Sequence, residues 1–252
     1  MLQLTQVTRQ FGGLMALYHV DLHVPPSQIV GLIGPNGAGK TTLINCISGL
    51  DHPTSGSIHF LGTPIQHAPA YRVTLLGIAR TYQNIRLFAE MTVLENLLIG
   101  QHGRGKASLL GAALYSPAYR REERLFRERA HDLLKRFNLN AQADQRAGNL
   151  PYGDQRRLEI ARALSTDPKM LLLDEPTAGM NPKETHAVGE AILALREVGM
   201  TILVIEHDMS LIRQVCDSIY VLNFGQIIAH GTPDDIRHNP AVVEAYLGHE
   251  DE

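Results

Sequence analysis

The chain of 252 residues is 44% hydrophobic and 19% charged, an ordinary balance for a globular protein that can bury a sizeable core in one large domain or two small ones. Its net charge of −3 argues against bulk nucleic-acid binding, which rests on clustered Lys and Arg releasing counterions. No apolar run approaches the ~20 residues of a membrane helix, and no positive segment with an apolar core opens the chain, so neither a membrane span nor a signal peptide is expected.

Residues 2–24 read as two strands: Val20, Leu22 and Val24 alternate with His19, Asp21 and His23, and Phe11-Gly12-Gly13 makes the turn. Ile29-Val30-Gly31-Leu32-Ile33 is a short apolar, β-branched run and reads as a buried strand. Gly34-Pro35-Asn36-Gly37-Ala38-Gly39-Lys40-Thr41-Thr42 follows it, and then a helical spacing of Leu43, Ile47 and Leu50. Beyond the turn-rich stretch 51–56, Ile58 and Phe60 alternate with polar neighbours and suggest an antiparallel β layer beside the core. Around residue 84 the character changes. Glu90–Gly100 and Glu122–Phe137 are helical patterns, the second with Leu125, Phe126, Leu133, Leu134 and Phe137 on one face. Gln101–Pro117, between them, reads as an irregular loop.

The α/β pattern resumes with Met170-Leu171-Leu172-Leu173, which runs into Asp174 and Glu175. Asn181-Pro182 opens a helix, Asn as cap and Pro in the first turn, continued by Val188, Ala191, Ile192 and Leu195. Thr201–Ile205 is the next strand and ends in Glu206-His207-Asp208. Ser218–Leu222 is another, then a Gly225-Gln226 turn, an edge strand at Ile227–Ala229 and two short helices over Pro233–Gly248. Cys46 and Cys216 fall on apolar helical patterns and read as packing residues. The 12 histidines show no metal-ligand spacing, and His19 and His23 share a solvated strand face.

The stretch from Gly34 to Thr42 fits Gly-x-x-x-x-Gly-Lys-[Ser/Thr], a loop that wraps backbone N–H groups around nucleotide phosphates. Gly37 and Gly39 let the backbone curl close to an anion, and the free N–H groups and dipole of the following helix favour negative charge. Lys40 is expected to reach the β and γ phosphates, and the Thr41 hydroxyl to join a Mg²⁺ shell. Binding alone hydrolyses nothing. A carboxylate at the end of a strand beside the loop supplies a Mg²⁺ ligand, here Asp174, and the next one, Glu175, a general base for water.

In this order the motifs resemble the ATP-binding subunits of ABC transporters over the whole chain. Gly34 to Thr42 matches the Walker A loop and Leu171 to Glu175 the Walker B strand. The resemblance implies ATP as the nucleotide and a P-loop NTPase core of ABC type, over 1–83 and 164–252, with an antiparallel β subdomain. It implies a helical subdomain over 84–163. It also gives roles to residues that say little alone. Gln83 becomes the Q-loop glutamine that touches Mg²⁺ or the attacking water, His207 the switch histidine and Phe11 the ring that stacks on adenine. Leu150-Pro151-Tyr152-Gly153-Asp154-Gln155 looks like the signature loop, so that Tyr152, Gly153 and Asp154 contact the nucleotide of a second ATPase subunit.

The segments Ala79–Phe88, Glu206–Met209, Gly231-Thr232-Pro233 and Ala245-Tyr246-Leu247-Gly248 are similar to the branched-chain amino acid importers. That implies a second, different ATPase chain, two integral membrane permeases and a solute-binding protein. It implies a peripheral place on the cytoplasmic side of the bacterial inner membrane, with membrane contact only through the permeases. Related branches move urea, other amides or lipopolysaccharide. A soluble ABC ATPase of DNA repair or translation and a small-molecule kinase fit less well: there is one cassette and no long coiled coil, and the signature loop and His207 are present.

Two positions depart from the family. The signature serine, whose hydroxyl bonds the γ-phosphate across the dimer, is Pro151 here, without hydroxyl or N–H. Asp154 replaces a glutamine and brings negative charge toward a phosphate, and Asn181 stands where Asp is usual. Since a signature acts on the other subunit's nucleotide, asymmetric sites are expected, the Lys40–Glu175 site of this chain being completed by its partner.

Overall fold

A computed structural model describes residues 1–101, 103 and 116–247. The irregular loop expected over Gln101–Pro117 lies mostly outside them. The described chain forms two compact units, 1–83 with 169–247 and 84–168.

The first unit carries two sheets. One is antiparallel, in the order β2-β1-β4-β5: β1 (Leu2–Phe11), β2 (Leu14–Val24), β4 (Ser55–Phe60) and β5 (Thr63–Pro64). This is the antiparallel layer read from the alternation, with Val20, Leu22 and Val24 buried and His19, Asp21 and His23 exposed. Phe11 pairs with Leu14 across a two-residue turn that holds Gly12 at φ +56°.

The other sheet runs β10-β9-β3-β8-β7-β6, from β3 (Ile29–Ile33), β6 (Ile78–Arg80), β7 (Met170–Asp174), β8 (Thr201–Ile205), β9 (Ser218–Asn223) and β10 (Gln226–Gly231). All neighbours are parallel except the β9–β10 edge pair. Every residue of β3, β7 and β8 is buried, so these strands read as continuous apolar runs without alternation. The two sheets close one apolar core, in which Leu4, Val20 and Phe60 of one meet Leu32, Leu172 and Leu203 of the other. Truncating one of these leucines to Ala costs about 2–5 kcal/mol.

The helices of this unit are α1 (Lys40–Ser48), α2 (Ala70–Leu76), α6 (Pro182–Glu197), α7 (Met209–Val215), α8 (Pro233–Arg237) and α9 (Pro240–Leu247). Helix α1 ends at Ser48 with Gly49 left-handed, so Leu50 falls beyond it and is 51% exposed rather than on its apolar stripe. Asn181 caps α6 as expected, within a full capping box with Glu184. Cys46 is buried in α1; Cys216 is buried too, but in extended backbone just past α7. Strand β6 and helix α2 had no clear sequence signal, being 3 and 7 residues long.

The second unit contains α3 (Val93–Gln101), α4 (Pro117–Arg136) and α5 (Tyr152–Ser165). Helix α4 starts earlier than its apolar pattern, capped by Ser116 with Pro117 at N1, and buries Ala130 and Leu134, whereas Leu125 is 46% exposed. Among the described residues no helix is long and apolar enough to cross a membrane.

Candidate nucleotide site

Four parallel strands end side by side, and each hands over a site residue at its C-terminal end. Gly34 follows β3, Asp174 and Glu175 close β7, Glu206 and His207 follow β8, and Gln83 lies three residues after β6. Ligands bind open α/β sheets at this edge, because helix N-termini and loops converge there.

The phosphate loop is built by glycine where nothing else fits. A Cβ on Gly34 would lie 2.0 Å from the Leu222 carbonyl oxygen, and one on Gly39 2.6 Å from that of Ala16, both at positive φ. Gly39 is the N-cap of α1 and has no side chain to satisfy the first N–H groups of that helix, which therefore point into the loop unused. Lys40 is buried and folded back: its Nζ donates to the carbonyls of Gly34 at 2.6 Å and Pro35 at 2.8 Å. Burial pushes the Lys40 pKa below the usual lysine value, while Glu175 and Asp174 pull it up. Those two carbonyls hold the ammonium inside the glycine loop.

Glu175 sits at φ +47°, a left-handed conformation that a side-chain-bearing residue adopts only under constraint. Its N–H donates to the Ile205 carbonyl at 2.9 Å, which fixes the turn and swings the carboxylate toward the loop. Gln83 Nε2 donates to Glu175 Oε2 at 2.9 Å, and His207 Nδ1 stands 3.8 Å from Glu175 Oε1. A cavity of about 770 Å³ is lined by Gly34, Pro35, Asn36, Gln83, Glu175 and His207. A second, of about 440 Å³, runs from Phe11 along Asn36–Thr42 and shares Asn36, Gln83 and Glu175 with the first. Phe11 is 45% exposed at its far end, one ring face covered by the Arg9 guanidinium at 4.2 Å. A larger hollow, about 1000 Å³, follows the charged face of α4 and holds none of the expected site residues.

Two residues of this site were not picked out from the sequence. Glu206 is fully buried and accepts from the Thr177 N–H at 3.1 Å and hydroxyl at 2.6 Å, and from the N–H groups of His207 at 3.0 Å and Asp208 at 3.2 Å. It fastens the loop after β7 to the start of the His207 turn; a carboxylate next to a switch-like histidine was the only hint. Tyr246 of α9 lines the larger of the two site cavities, its hydroxyl buried against the Gly34 backbone without a well-directed hydrogen bond. Burial raises its pKa, with the Gly34 backbone pulling the other way. It lies in the last described helix of the chain, beyond every motif of the site in sequence, and only the fold brings it there.

In the second unit Pro151 is the N-cap of α5 and provides no side-chain cap, which leaves that helix start open. The carboxylate of Asp154 accepts a hydrogen bond from Arg157, so its charge is balanced one turn along the helix. Tyr152 is 46% exposed. Arg156 is completely buried and pairs with Glu159 at 2.8 Å, and Glu159 also accepts from the Arg86 N–H at 3.4 Å.

Thr41, Asp174 and Gln83 present oxygen donors only, which suits a hard cation such as Mg²⁺. Among the described residues no three His, Cys, Asp or Glu side chains cluster as a metal cage. The glycine loop, the carboxylates of Asp174 and Glu175, Gln83 and His207 thus stand together on one sheet edge, the architecture of a P-loop ATPase.

The family pattern described as "ABC transporter" matches residues 17–178, and that of "Branched-chain amino acid ATP-binding cassette transporter" matches 226–252. The chain belongs to the ABC transporter family and is an ATPase of that family. It is 48% identical over 98% of both chains to the high-affinity branched-chain amino acid transport ATP-binding protein LivG of Escherichia coli (strain K12). A crystal structure of an ATP-binding cassette of an ABC transporter in its ADP conformation superposes with a TM-score of 0.86 at 37% identity, over 98% of each chain. An ATP-binding cassette solved as a dimer in a post-hydrolysis state with ADP and Pi gives a TM-score of 0.78 at 27% identity, over 92% of this chain and 99% of that one.

Proposed function

We propose that this chain is the ATP-hydrolysing subunit of a membrane importer for branched-chain amino acids, working from the cytoplasmic face. The observation that carries the chemistry is the meeting of Gln83, Glu175 and His207 beside the phosphate loop. The solute assignment rests on the likeness to LivG along the full chain.

In this reading ATP lies along the loop, its adenine on the free face of Phe11 and its phosphates in the N–H groups of Gly34 to Thr42. Lys40 leaves the two carbonyls it now bonds and turns to the β and γ phosphates. Thr41, Asp174 and Gln83 hold Mg²⁺, which when bound neutralises phosphate charge. Glu175 accepts a proton from the water that attacks the γ-phosphorus, the bond to the β–γ bridging oxygen breaks, and ADP and phosphate result. Gln83, already bonded to Glu175, orients that water, and His207 contacts the γ-phosphate from the other side.

The site is completed by a second ATPase subunit, as a dimer with ADP and Pi illustrates for a related cassette. Its signature loop closes on the γ-phosphate held by Lys40. The signature of this chain, Pro151 to Asp154, serves the partner's nucleotide with backbone N–H groups of α5 in place of a serine hydroxyl. The two sites are then unequal, and the Lys40–Glu175 site carries more of the work. Two permease subunits and a solute-binding protein make up the rest. The test is co-purification from membranes. The chain should be recovered with a second ATPase and two permeases, and their ATPase should rise with leucine-loaded binding protein; recovery with no integral membrane protein would refute the reading.

A further inference from the structure

Asp174 is not free to meet a cation on its own terms. Arg80, the last residue of edge strand β6, reaches it with a side chain only 7% exposed. Arg80 Nη2 donates to Asp174 Oδ2 at 2.9 Å, and Nη1 donates to Asn45 Oδ1 at 2.7 Å and Ser48 Oγ at 3.0 Å. Both latter partners lie in the last turn and a half of α1, the helix whose first turn forms the phosphate loop. The residue after Arg80 fastens the same place: the Thr81 hydroxyl accepts from the Asp174 N–H at 3.2 Å, and the Thr81 N–H donates to the Leu172 carbonyl at 2.9 Å. One planar, permanently charged fork thus ties the end of β7 to the far end of α1. A lysine, as a point charge on a flexible stem, could not span these acceptors in the same way.

The charges have a consequence. Lys40 and Arg80 carry two positive charges among these four groups, and Asp174 and Glu175 two negative ones, so these four balance before any nucleotide arrives, while the buried carboxylate of Glu206 faces away into the four hydrogen bonds it accepts from Thr177, His207 and Asp208. A set of groups that is neutral together, with backbone donors beside it, accepts the doubly negative magnesium–nucleotide complex, but offers a bare divalent cation little. Without Arg80 the same groups sum to minus one.

We propose that Arg80 is a positioning residue that occupies one oxygen of Asp174 and cancels its charge, so that the site takes up Mg²⁺ with the nucleotide and rejects the free cation. This rests on the reading of Asp174 as the metal carboxylate. Arg80 sets which oxygen of Asp174 faces the metal, and through Asn45 and Ser48 couples that choice to α1.

The test measures metal and nucleotide separately on the full-length chain. Free Mn²⁺ binding without nucleotide is followed by loss of the Mn²⁺ spin-resonance signal, and binding of a non-hydrolysable Mg²⁺–ATP analogue by calorimetry. Arg80→Gln should bind free Mn²⁺ about tenfold more tightly, the scale of one unit charge acting on a divalent cation at close range. The same variant should bind the analogue several-fold more weakly. Arg80→Lys, which keeps the charge, should stay close to the parent chain toward free Mn²⁺. A structural role alone would lower thermal stability without moving the two affinities in opposite directions. If Arg80→Gln does not fold, Asn45→Ala and Ser48→Ala, which loosen the fork, should shift free Mn²⁺ binding the same way by a smaller factor. Unchanged free Mn²⁺ affinity in the folded variants overturns the proposal. Asp174→Asn separates it from its premise: undiminished Mn²⁺ uptake with the analogue in that variant would remove Asp174 from the metal site, whatever Arg80 does.

Discussion

Gln83 Nε2 and Glu175 Oε2 stand 2.9 Å apart, so the residue expected to orient water and the residue expected to deprotonate it are already joined before nucleotide binds. The pair bridges the segment after β6 to the end of β7, where Glu175 has a left-handed backbone. Replacing Glu175 with Gln keeps shape and hydrogen bonding but removes the base. ATP turnover should fall by about two orders of magnitude or more, with ATP binding retained. Gln83→Ala should cost less, since Glu175 remains. Single-turnover hydrolysis set beside nucleotide binding checks both, and equal losses in binding would count against the assignment.

Glu206 accepts four hydrogen bonds while completely buried. Glu206→Ala leaves those donors without a partner, and unfolding in urea should show a loss of about 3 kcal/mol or more. Glu206→Gln keeps one acceptor oxygen and should lose roughly half of that. A loss within 0.5 kcal/mol for the Ala variant, on the order of an ordinary surface substitution, would mean that the loop after β7 is held by something else.

Much of this was legible in the sequence, for reasons that differ by residue. The buried strands β3, β7 and β8 were visible because central parallel strands are apolar throughout, and Asn181-Pro182 announced α6 through cap chemistry. The loop at Gly34–Thr42 was legible because close approach to Leu222 and Ala16 admits only glycine at two of its positions. Arg80 and Tyr246 were not, because their meaning is wholly tertiary: each meets partners 32 or more residues away, with no local period to mark it. Leu50 and Leu125 misled, since an apolar residue at helical spacing is as common on a surface as in a core.

Both cysteines have their thiol pKa pushed up to about 12, chiefly by burial, with nearby Asp51 raising Cys46 and Asp217 raising Cys216. At pH 8 the thiolate is then about one part in ten thousand, and the thiolate is the reactive form. Neither Cys46 nor Cys216 should react with iodoacetamide in the native protein over an hour at pH 8, and both should react in denaturant. Mass spectrometry of the labelled chain reads this directly; rapid native labelling of either would contradict its burial.

Phe11 offers one open ring face, the other being covered by Arg9. Phe11→Ala should weaken ATP binding by about 1 kcal/mol, the scale of one aromatic stack, and Phe11→Tyr should restore it. Inorganic triphosphate, which has no base, should bind both variants like the parent chain. A parallel loss for triphosphate would place the effect at the phosphate loop instead.

The claim on which the account turns is that the Lys40–Glu175 site of this chain drives amino-acid import. Its most direct test is ATP-driven leucine uptake into proteoliposomes holding the complete importer, with Lys40→Ala introduced in this chain alone. Uptake should fall at least tenfold while the complex stays assembled, about the loss expected when one charge-assisted phosphate contact is removed. Uptake near the parent rate in that variant would contradict the account.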